Sequence, residues 1–262
     1  MASPGGKVWL ITGASGIAAA TARLAVERGI RVFFVSRTEG ECAALAASLG
    51  DASGYHVADL SVSSSAASVL SACLDRFGSV DALYNVAGLS GRRWGDGPLH
   101  LCSDEGWRIT LDNNLDSLFY MSRAVIAHWM EQPAGTGGLR GTVLNMASVL
   151  GVSPEARHFT THAYVASKSA IIGLSRAMAS YYAPHKIRVN AVAPALVRTP
   201  MTVRSQNDAT ILDYIRKKQP LLEGMVEPDD VARASVFLLS EESRAITGEV
   251  ITVDGGWSVS GA

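Results

Sequence analysis

Apolar runs rich in β-branched or aromatic residues recur along the chain and alternate with Ala- and Leu-rich stretches of helical spacing, such as 17–28 and 66–77. The runs occupy 8–12, 31–36, 82–86, 142–146, 188–193 and 250–253, with a weaker candidate at 55–58. Strands with few polar interruptions are typical of a parallel sheet that helices cover on both faces. The alternation therefore predicts a doubly wound α/β fold, with three αβα layers around a seven-stranded parallel sheet.

Size and charge limit the classes of protein to which the chain can belong. Its 262 residues, 48% of them hydrophobic, suffice for one large domain over 1–262. A net charge of −1 provides no broad basic field, so neither nucleic acid nor an anionic membrane is expected as a partner. No apolar run approaches the roughly 18 residues of a membrane span, and the first residues lack the apolar core of a signal peptide. We expect a cytoplasmic protein.

The cysteines and histidines show no metal-binding pattern. Cys42, Cys73 and Cys102 are widely spaced, which favours reduced thiols buried as small hydrophobic side chains. His158 and His162 are four residues apart but have no carboxylate pattern near them, so no metal site is expected.

Local signals place helix starts and two long connections. Thr38 and Glu41 have the spacing of a capping box, and Pro228 is suited to start a helix that runs to Leu239. Two irregular stretches, 88–103 and 195–225, should leave the carboxyl ends of strands, where open α/β sheets bind ligands. We interpret them as substrate-facing loops, with ordinary surface loops as the alternative.

The segment "VWLITGASGIAAA" joins the first strand to the first helix. Gly13 and Gly16 allow backbone N–H groups to approach a pyrophosphate at the helix N-terminus. The loop is one residue shorter than the usual dinucleotide pattern, and Ala18 replaces its last glycine, so a simple tight turn is the alternative.

The end of the second strand carries Ser36 and Arg37 where NAD-binding units usually place an acid. A carboxylate would repel a 2′-phosphate, whereas a guanidinium can pair with it. NADP(H) is therefore favoured over NAD(H). The alternative is that Arg37 is a solvated surface residue.

One predicted helix carries a candidate acid–base pair. Tyr164 and Lys168 are four residues apart, so both project from one helix face, where the ammonium would favour phenolate and lower the tyrosine pKa. Ser148 follows a predicted strand, and its hydroxyl is suited to polarise a carbonyl. Taken separately, these are an ordinary surface pair and an ordinary serine.

Together with other motifs, these residues resemble the short-chain dehydrogenase/reductase family along almost the whole chain. The motifs are "TGASGIA", "ADL" at 58–60, "NVAG" at 85–88, "NNL" at 113–115, Ser148, "YVASK" at 164–168, "NAVAPALVRTPM" at 190–201 and "VDGG" at 253–256. The resemblance is broadest to 3-oxoacyl-[acyl-carrier-protein] reductases and to sugar or polyol dehydrogenases, and it implies a Rossmann-type catalytic domain. The short glycine loop and the pair Pro194-Ala195, where the family has Pro-Gly, concern cofactor affinity more than reaction type.

The resemblance also implies roles for individual positions. Tyr164 would be the acid–base, Lys168 would lower its pKa and bind the nicotinamide ribose, Ser148 would orient the substrate oxygen, and Asn114 would hold a water of the proton relay. The implied cofactor contacts are Gly13, Ser15, Gly16, Ile17, Ser36, Arg37, Asp59, Leu60, Asn85, Ala87, Gly88, Tyr164, Lys168, Pro194, Val197 and Thr199. The expected substrate contacts are Ser148, Tyr164 and Trp94.

The resulting hypothesis is an oxidoreductase that transfers hydride between NADP(H) and a ketone or secondary alcohol, of the 3-oxoacyl-thioester or sugar and polyol type. The alternative is a catalytically weak module that senses nucleotides with the same fold. Family members are commonly tetramers, so we expect a homotetramer, or a dimer, joined through long helices at about 104–131 and 163–183. An acyl carrier protein is a possible partner, since Arg92 and Arg93 beside Trp94 form either a docking patch or a solvated loop. Arg204, Lys217 and Lys218 add little to that patch.

Overall fold

In the computed structural model, which describes residues 6–134 and 138–261, seven strands form one parallel sheet in the order β3-β2-β1-β4-β5-β6-β7. The strands are β1 Val8–Thr12, β2 Arg31–Ser36, β3 Ser53–Val57, β4 Ala82–Asn85, β5 Gly141–Met146, β6 Ile187–Pro194 and β7 Val250–Val253. The predicted seven-stranded parallel sheet is confirmed. Its strand order reverses between β1 and β4, which opens a crevice at the carboxyl ends of these strands.

Helices cover both faces of the sheet. They are α1 Gly16–Glu27, α2 Glu39–Leu49, α3 Ser65–Phe77, α4 Asp104–Leu111, α5 Ser117–Glu131, α6 His162–Tyr182, α7 Val203–Gln206, α8 Ala209–Lys218 and α9 Pro228–Leu239. Buried side chains of α1, α2 and α9 pack in one core cluster, and those of α3, α5 and α6 pack in another. The molecule therefore has the three αβα layers expected from the sequence.

The central strands are apolar throughout because each face of the sheet packs under helices. In β1, Trp9 and Ile11 belong to the core cluster on one face, and Val8 and Leu10 belong to the cluster on the other. This alternation follows from the period of two along a strand, and burial of both sets explains the unbroken apolar runs.

Two local predictions need correction. Strand β3 lies at the edge of the sheet and begins before residue 55, and its alternating exposure explains the weak signal in the sequence. Thr38 is the N-cap of α2, but the capping box does not form. The Thr38 backbone N–H is directed to the Ser36 hydroxyl, 3.3 Å away, instead of to Glu41. Pro228 begins α9, as predicted.

The segment expected as one long helix over about 104–131 is interrupted. A π-helical turn, Asp112–Asp116, separates α4 from α5, and the chain stays helical through this turn. Such turns insert one extra residue and are frequent at functional sites.

The stretch 195–225 is less irregular than predicted, because it contains α7 and α8. The Asp208 carboxylate accepts hydrogen bonds from the backbone N–H groups of Thr210 and Ile211, and this cap starts α8.

Cysteine burial is predicted correctly for two of the three residues. Cys42 and Cys73 are buried, and burial raises the pKa of Cys73 to about 12. Cys102 is partly exposed instead, in the connection after β4. Within the described ranges, no cluster of three or more His, Cys, Asp or Glu residues has metal-binding geometry, and no helix has the length and apolar character needed to cross a bilayer.

Candidate active site

The turn between β1 and α1 lies at the crevice and forms one wall of the site. The Gly13 N–H donates to the Val35 carbonyl at 2.6 Å, which ties the turn to β2. Gly13 and Gly16 have φ values of 114° and 53°, in the left-handed region that favours glycine. Helix α1 starts at Gly16, so the first N–H groups of the helix point into the crevice without intrahelical partners.

The space above this turn is narrow. A Cβ atom on Gly16 would lie 3.1 Å from Thr199 Cγ2 on the opposite wall. Glycine therefore keeps the backbone open to a ligand in a place that a methyl group would fill. This cradle, with free N–H groups and the helix dipole, fits a pyrophosphate despite the shortened loop.

A cavity of about 200 Å³, here called the glycine cavity, extends from this turn to α6. It brings together eleven of the sixteen predicted cofactor contacts: Gly13, Ser15, Gly16, Ile17, Ala87, Gly88, Tyr164, Lys168, Pro194, Val197 and Thr199. These residues come from segments that are far apart in sequence and meet at the carboxyl edge of the sheet.

The remaining predicted cofactor contacts lie outside the glycine cavity. Ser36 and Arg37 follow β2, where Arg37 Nη1 is 3.8 Å from Asp59 Oδ2 at the partly exposed surface. Burial acts to raise the pKa of Asp59, but hydrogen bonds from Ser61 and the charge of Arg37 outweigh it and lower that pKa. The Leu60 side chain is buried in the sheet core, so its side chain is not free for an adenine ring.

The Asn85 side chain is held inside the protein. Its amide nitrogen donates to Ser122 Oγ at 3.0 Å and to Asn145 Oδ1 at 2.9 Å. This amide joins β4 to β5 and α5 and is not available to a ribose. The Asn85 side chain therefore has a structural role, and a contact of this residue with the cofactor ribose stays a prediction.

Asn114 is placed by the π-helical turn and fixes the connection after β4. Its amide oxygen accepts from the Leu89 N–H at 2.7 Å, and its amide nitrogen donates to the Leu89 carbonyl and to Ser167 Oγ, both at 3.1 Å. A Cβ on Gly88 would lie 2.8 Å from Asn114 Oδ1 and 3.6 Å from Lys168 Nζ. The asparagine oxygen and the lysine amine thus both lie near Gly88, and the part of Asn114 in a proton relay stays a prediction.

Tyr164, Lys168 and Ser148 come together where β5 and α6 meet. Both helix residues line the glycine cavity, and Lys168 Nζ lies 5.6 Å from the centroid of the Tyr164 ring. Lys168 Nζ donates to the Met146 carbonyl at 2.7 Å, which holds the buried side chain over the end of β5. Ser148 follows that strand and lines the cavity beside the tyrosine.

The protonation states differ from the prediction. Burial raises the pKa of Tyr164 above its ordinary value, and an interaction with the Ser148 hydroxyl offsets only part of the rise. Burial also lowers the pKa of Lys168 to about 7. The expected lowering of the tyrosine pKa by the lysine is thus not met here, because loss of solvent penalises the phenolate and the ammonium alike.

A second and larger cavity adjoins the first. This arginine cavity, of about 470 Å³, is lined by Arg92, Arg93 and Arg204. Ser148 and Tyr164 line both cavities and so stand at their junction. A ligand in either space meets the same two hydroxyl groups.

Trp94 does not line the arginine cavity, contrary to the prediction. Its ring instead packs under the Arg93 guanidinium, 4.0 Å from the ring centroid. Trp257 takes the expected place of an aromatic wall. It is almost completely buried, and its ring contacts Phe159 with centroids 5.8 Å apart. Since Trp257 lies beyond the last strand, no spacing in the sequence pointed to it.

Asp96 is a second residue that sequence reasoning missed. It is 3% exposed, and its carboxylate accepts from the backbone N–H groups of Ala163 at 2.9 Å and Tyr164 at 3.0 Å. The carboxylate thus caps α6 from a distant loop and fixes the backbone of Tyr164 itself. Its only sequence signal is an acid between glycines in "GDGP", which is also typical of a turn.

The family is decided by comparison with known proteins. Residues 11–258 match the model of a protein family described as Enoyl-(Acyl carrier protein) reductase. The chain is 32% identical over 260 residues to the 2,5-dichloro-2,5-cyclohexadiene-1,4-diol dehydrogenase of Sphingobium indicum, covering 98% of this chain and 99% of that protein. The chain belongs to the short-chain dehydrogenase/reductase family. As a member of this family it is an oxidoreductase.

Solved structures of short-chain dehydrogenases/reductases share the fold. The 3-ketoacyl-(acyl-carrier-protein) reductase of Brucella melitensis complexed with NADH has a TM-score of 0.85 at 31% identity, covering 97% of this chain and 99% of the other. The actinorhodin polyketide ketoreductase with NADPH has a TM-score of 0.85 at 28% identity, covering 97% and 98%. The fold therefore implies a nicotinamide cofactor, and the similar proteins include complexes with each reduced form.

Proposed function

We propose that this short-chain dehydrogenase/reductase transfers hydride between NADP(H) and a ketone or secondary alcohol. The observation that carries the proposal is the position of Ser148 and Tyr164 at the junction of the glycine and arginine cavities. The glycine cavity would hold the nicotinamide end of the cofactor, and the arginine cavity would hold the substrate. When bound, the nicotinamide supplies or accepts the hydride.

The two hydroxyl groups would act on the substrate oxygen. In the direction of reduction, the Tyr164 hydroxyl donates its proton to the developing alkoxide while the Ser148 hydroxyl donates a hydrogen bond to the same oxygen. Burial raises the pKa of Tyr164. A neutral phenol keeps its proton at pH 7, which suits it to be the proton donor.

Lys168 would return the proton to Tyr164. Its pKa of about 7 allows the amine to gain and lose a proton at neutral pH. Asn114 packs beside it and would hold the water through which that proton comes from solvent. In this role Asn114 acts on the lysine and on the loop after β4, not on the substrate.

Arg37 supports NADP(H) over NAD(H). It lies at the end of β2, next to the glycine turn, and its guanidinium is half exposed with only a 3.8 Å contact to Asp59. A 2′-phosphate would displace this long contact and form charge-assisted hydrogen bonds. Arg37→Glu should therefore lower the NADPH/NADH ratio of kcat/KM by about 10- to 100-fold. Arg23→Glu, an exposed charge reversal on α1, is the control, and an unchanged ratio in Arg37→Glu would rule out the assignment.

Tyr164→Phe tests the reaction itself. Oxidation of NADPH is followed by absorbance over a panel of ketones, 3-oxoesters and sugar ketones. The variant should lose about 10²- to 10⁴-fold in kcat, because it lacks the proton donor. Its affinity for NADPH, measured by fluorescence titration, should change far less, because the ring and the other residues of the glycine cavity remain. Tyr55→Phe, which removes an exposed hydroxyl at the sheet edge, is the matched control.

Substantial ketone reduction by Tyr164→Phe would contradict the mechanism. Binding of NADPH by the wild type without turnover of any ketone would favour a nucleotide-sensing module instead.

We further propose a homotetramer built through α5 and α6. Phe119 and Met130 on α5 and Tyr181 on α6 are exposed, which supports an interface on these helices. Light scattering coupled to size-exclusion chromatography tests the assembly, and a monomer at micromolar concentration would contradict it.

A further inference from the structure

The arginine cavity has an uneven charge. Three guanidinium-bearing side chains, Arg92, Arg93 and Arg204, are among its lining residues, and the described lining contains no carboxylate. The first two belong to the short turn Gly91–Trp94 after β4, and the third belongs to α7 after β6. Two separate connections therefore bring positive charge to the same space.

Arg92 and Arg204 are close enough to repel one another. Burial, followed by the charge of Arg204, lowers the pKa of Arg92, and Asp96 offsets this in part. The Arg92 guanidinium has a 3.4 Å hydrogen bond to the His158 carbonyl. Among the described residues, neither arginine has an ion pair within 4.0 Å.

One carboxylate lies near Arg204, but it has another role. Asp208 accepts hydrogen bonds from the backbone N–H groups of Thr210 and Ile211 and from the Thr210 hydroxyl, and so caps α8. The two like charges thus have only the more distant charges of Asp96 and Asp208 near them, and each of these carboxylates caps a helix, so an anion placed between the two arginines would be stabilised.

The rest of the cavity is suited to an apolar molecule. Leu150, Phe159, Leu196 and Trp257 are among its lining residues. Among the described residues that line the glycine cavity, none is one of these three arginines. They are therefore not placed to bind the cofactor phosphates in that cavity. Their positive charge is therefore available to a molecule that occupies the arginine cavity.

We propose that the substrate of this enzyme is a ketone, or the matching alcohol, with an apolar body and a carboxylate that Arg92 and Arg204 bind. This inference rests on the proposed function, since it names the substrate class of the same site. Arg92 and Arg204 line a cavity of about 470 Å³, a volume typical of small-molecule sites, and their side chains are also exposed to solvent. The carboxylate would therefore bind where the cavity opens to solvent, while the apolar body fills the cavity.

Matched pairs of keto acids and their methyl esters, with the same carbon skeleton and four to ten carbons, test the charge requirement. Wild type should prefer the acid. Arg204→Gln should lose about 10- to 100-fold in kcat/KM for the acid and change little for the ester, because one charge-assisted hydrogen bond is removed. Lys217→Gln removes an exposed charge from the neighbouring α8 and should affect neither substrate. Thermal melting checks that both variants fold.

Calorimetric titration of the keto acid into enzyme saturated with NADP⁺ separates this inference from the proposed function, because no ketone is reduced in that mixture. Binding that weakens in Arg204→Gln supports the anion site even if no ketone is ever turned over. Equal use of acid and ester, with no dependence on Arg204, overturns the anion site and leaves the reductase intact. A dependence on Arg204 seen only with a 3-oxoacyl carrier protein also overturns it, in favour of a protein partner.

Discussion

The two cavities of this enzyme are built in different ways. Backbone forms much of the glycine cavity, which the parallel sheet and three glycines keep open at the ends of β1 and β4. Side chains from four distant segments form the arginine cavity: 90–93, 148–164, 195–205 and Trp257. The first space is therefore sensitive to any added Cβ, whereas the second depends on the identity of each side chain.

This difference matters for function. A backbone cradle binds a group common to every reaction of the family, since N–H groups donate hydrogen bonds to any phosphate. A side-chain cavity selects among substrates, because charge and shape change with each residue. The hydroxyl groups of Ser148 and Tyr164 line both cavities, so they can contact both the cofactor and the substrate.

Gly16→Ala should have the largest effect on the glycine cavity, measured as a loss of NADPH affinity. Alanine at a φ of 53° costs about 1–2 kcal/mol, and its Cβ would lie 3.1 Å from Thr199 Cγ2. Affinity for NADPH, measured by fluorescence titration, should fall by about 100-fold, because the backbone can no longer approach the phosphates.

Gly40→Ala is the matched control for that variant. Gly40 lies in α2, and a Cβ there would meet nothing within 4 Å. Its NADPH affinity should equal that of the wild type. If Gly16→Ala bound NADPH as tightly as Gly40→Ala, the cradle would not be the phosphate site.

The same contrast explains what the sequence predicted. The apolar runs of the strands, the glycine turn and the spacing of Tyr164 and Lys168 are local patterns, and local patterns have a fixed geometric meaning. The sheet followed from the apolar runs, whereas most of the eleven residues that line the glycine cavity were named through the resemblance to a known family. Strand β3 gave a weak signal because an edge strand exposes every second residue.

What the sequence did not predict depends on contacts between distant segments. Arg204 reaches the arginine cavity from the connection after β6, and Trp257 reaches it from the segment after β7. Asp96 caps a helix 67 residues further on. The raised pKa of Tyr164 depends on burial, which spacing along a helix cannot reveal.

Asp96→Asn tests a residue that links the arginine cavity to Tyr164, and we expect an effect of intermediate size. The loop that borders the arginine cavity carries Asp96, yet its carboxylate holds the backbone of Tyr164. An amide keeps the shape but replaces one acceptor with a donor that faces an N–H group. We expect kcat to fall about tenfold and the free energy of unfolding to fall by about 1–2 kcal/mol.

A positioning role for Asp96 has its own signature. The KM for NADPH should stay constant while kcat falls, and the pH profile of kcat should shift because Tyr164 is displaced from Ser148. Asp104→Asn, at the exposed first turn of α4, should change neither. A loss of stability without any change in kcat would mean that Asp96 acts only as a helix cap.

Lys168→Met should change the stability by an amount that depends on pH, and the wild type is least stable relative to this variant near pH 7. Burial lowers the pKa of Lys168 from 10.5 to about 7 in the folded protein, so between these values the unfolded chain binds more protons. The free energy of unfolding of the wild type must therefore rise with pH in this window, by at most about 1.4 kcal/mol per pH unit, whereas Lys168→Met lacks this contribution.

Differential scanning calorimetry at pH 7–10 tests this dependence. The melting temperature of the wild type should rise relative to that of the variant by about 3 °C per pH unit. Lys217→Met, an exposed control, should follow the wild type, and a constant gap between wild type and Lys168→Met would mean that the lysine stays charged in the folded protein. In that case the Lys168 amine would act on the Tyr164 phenol as a fixed cation and would not pass a proton to it.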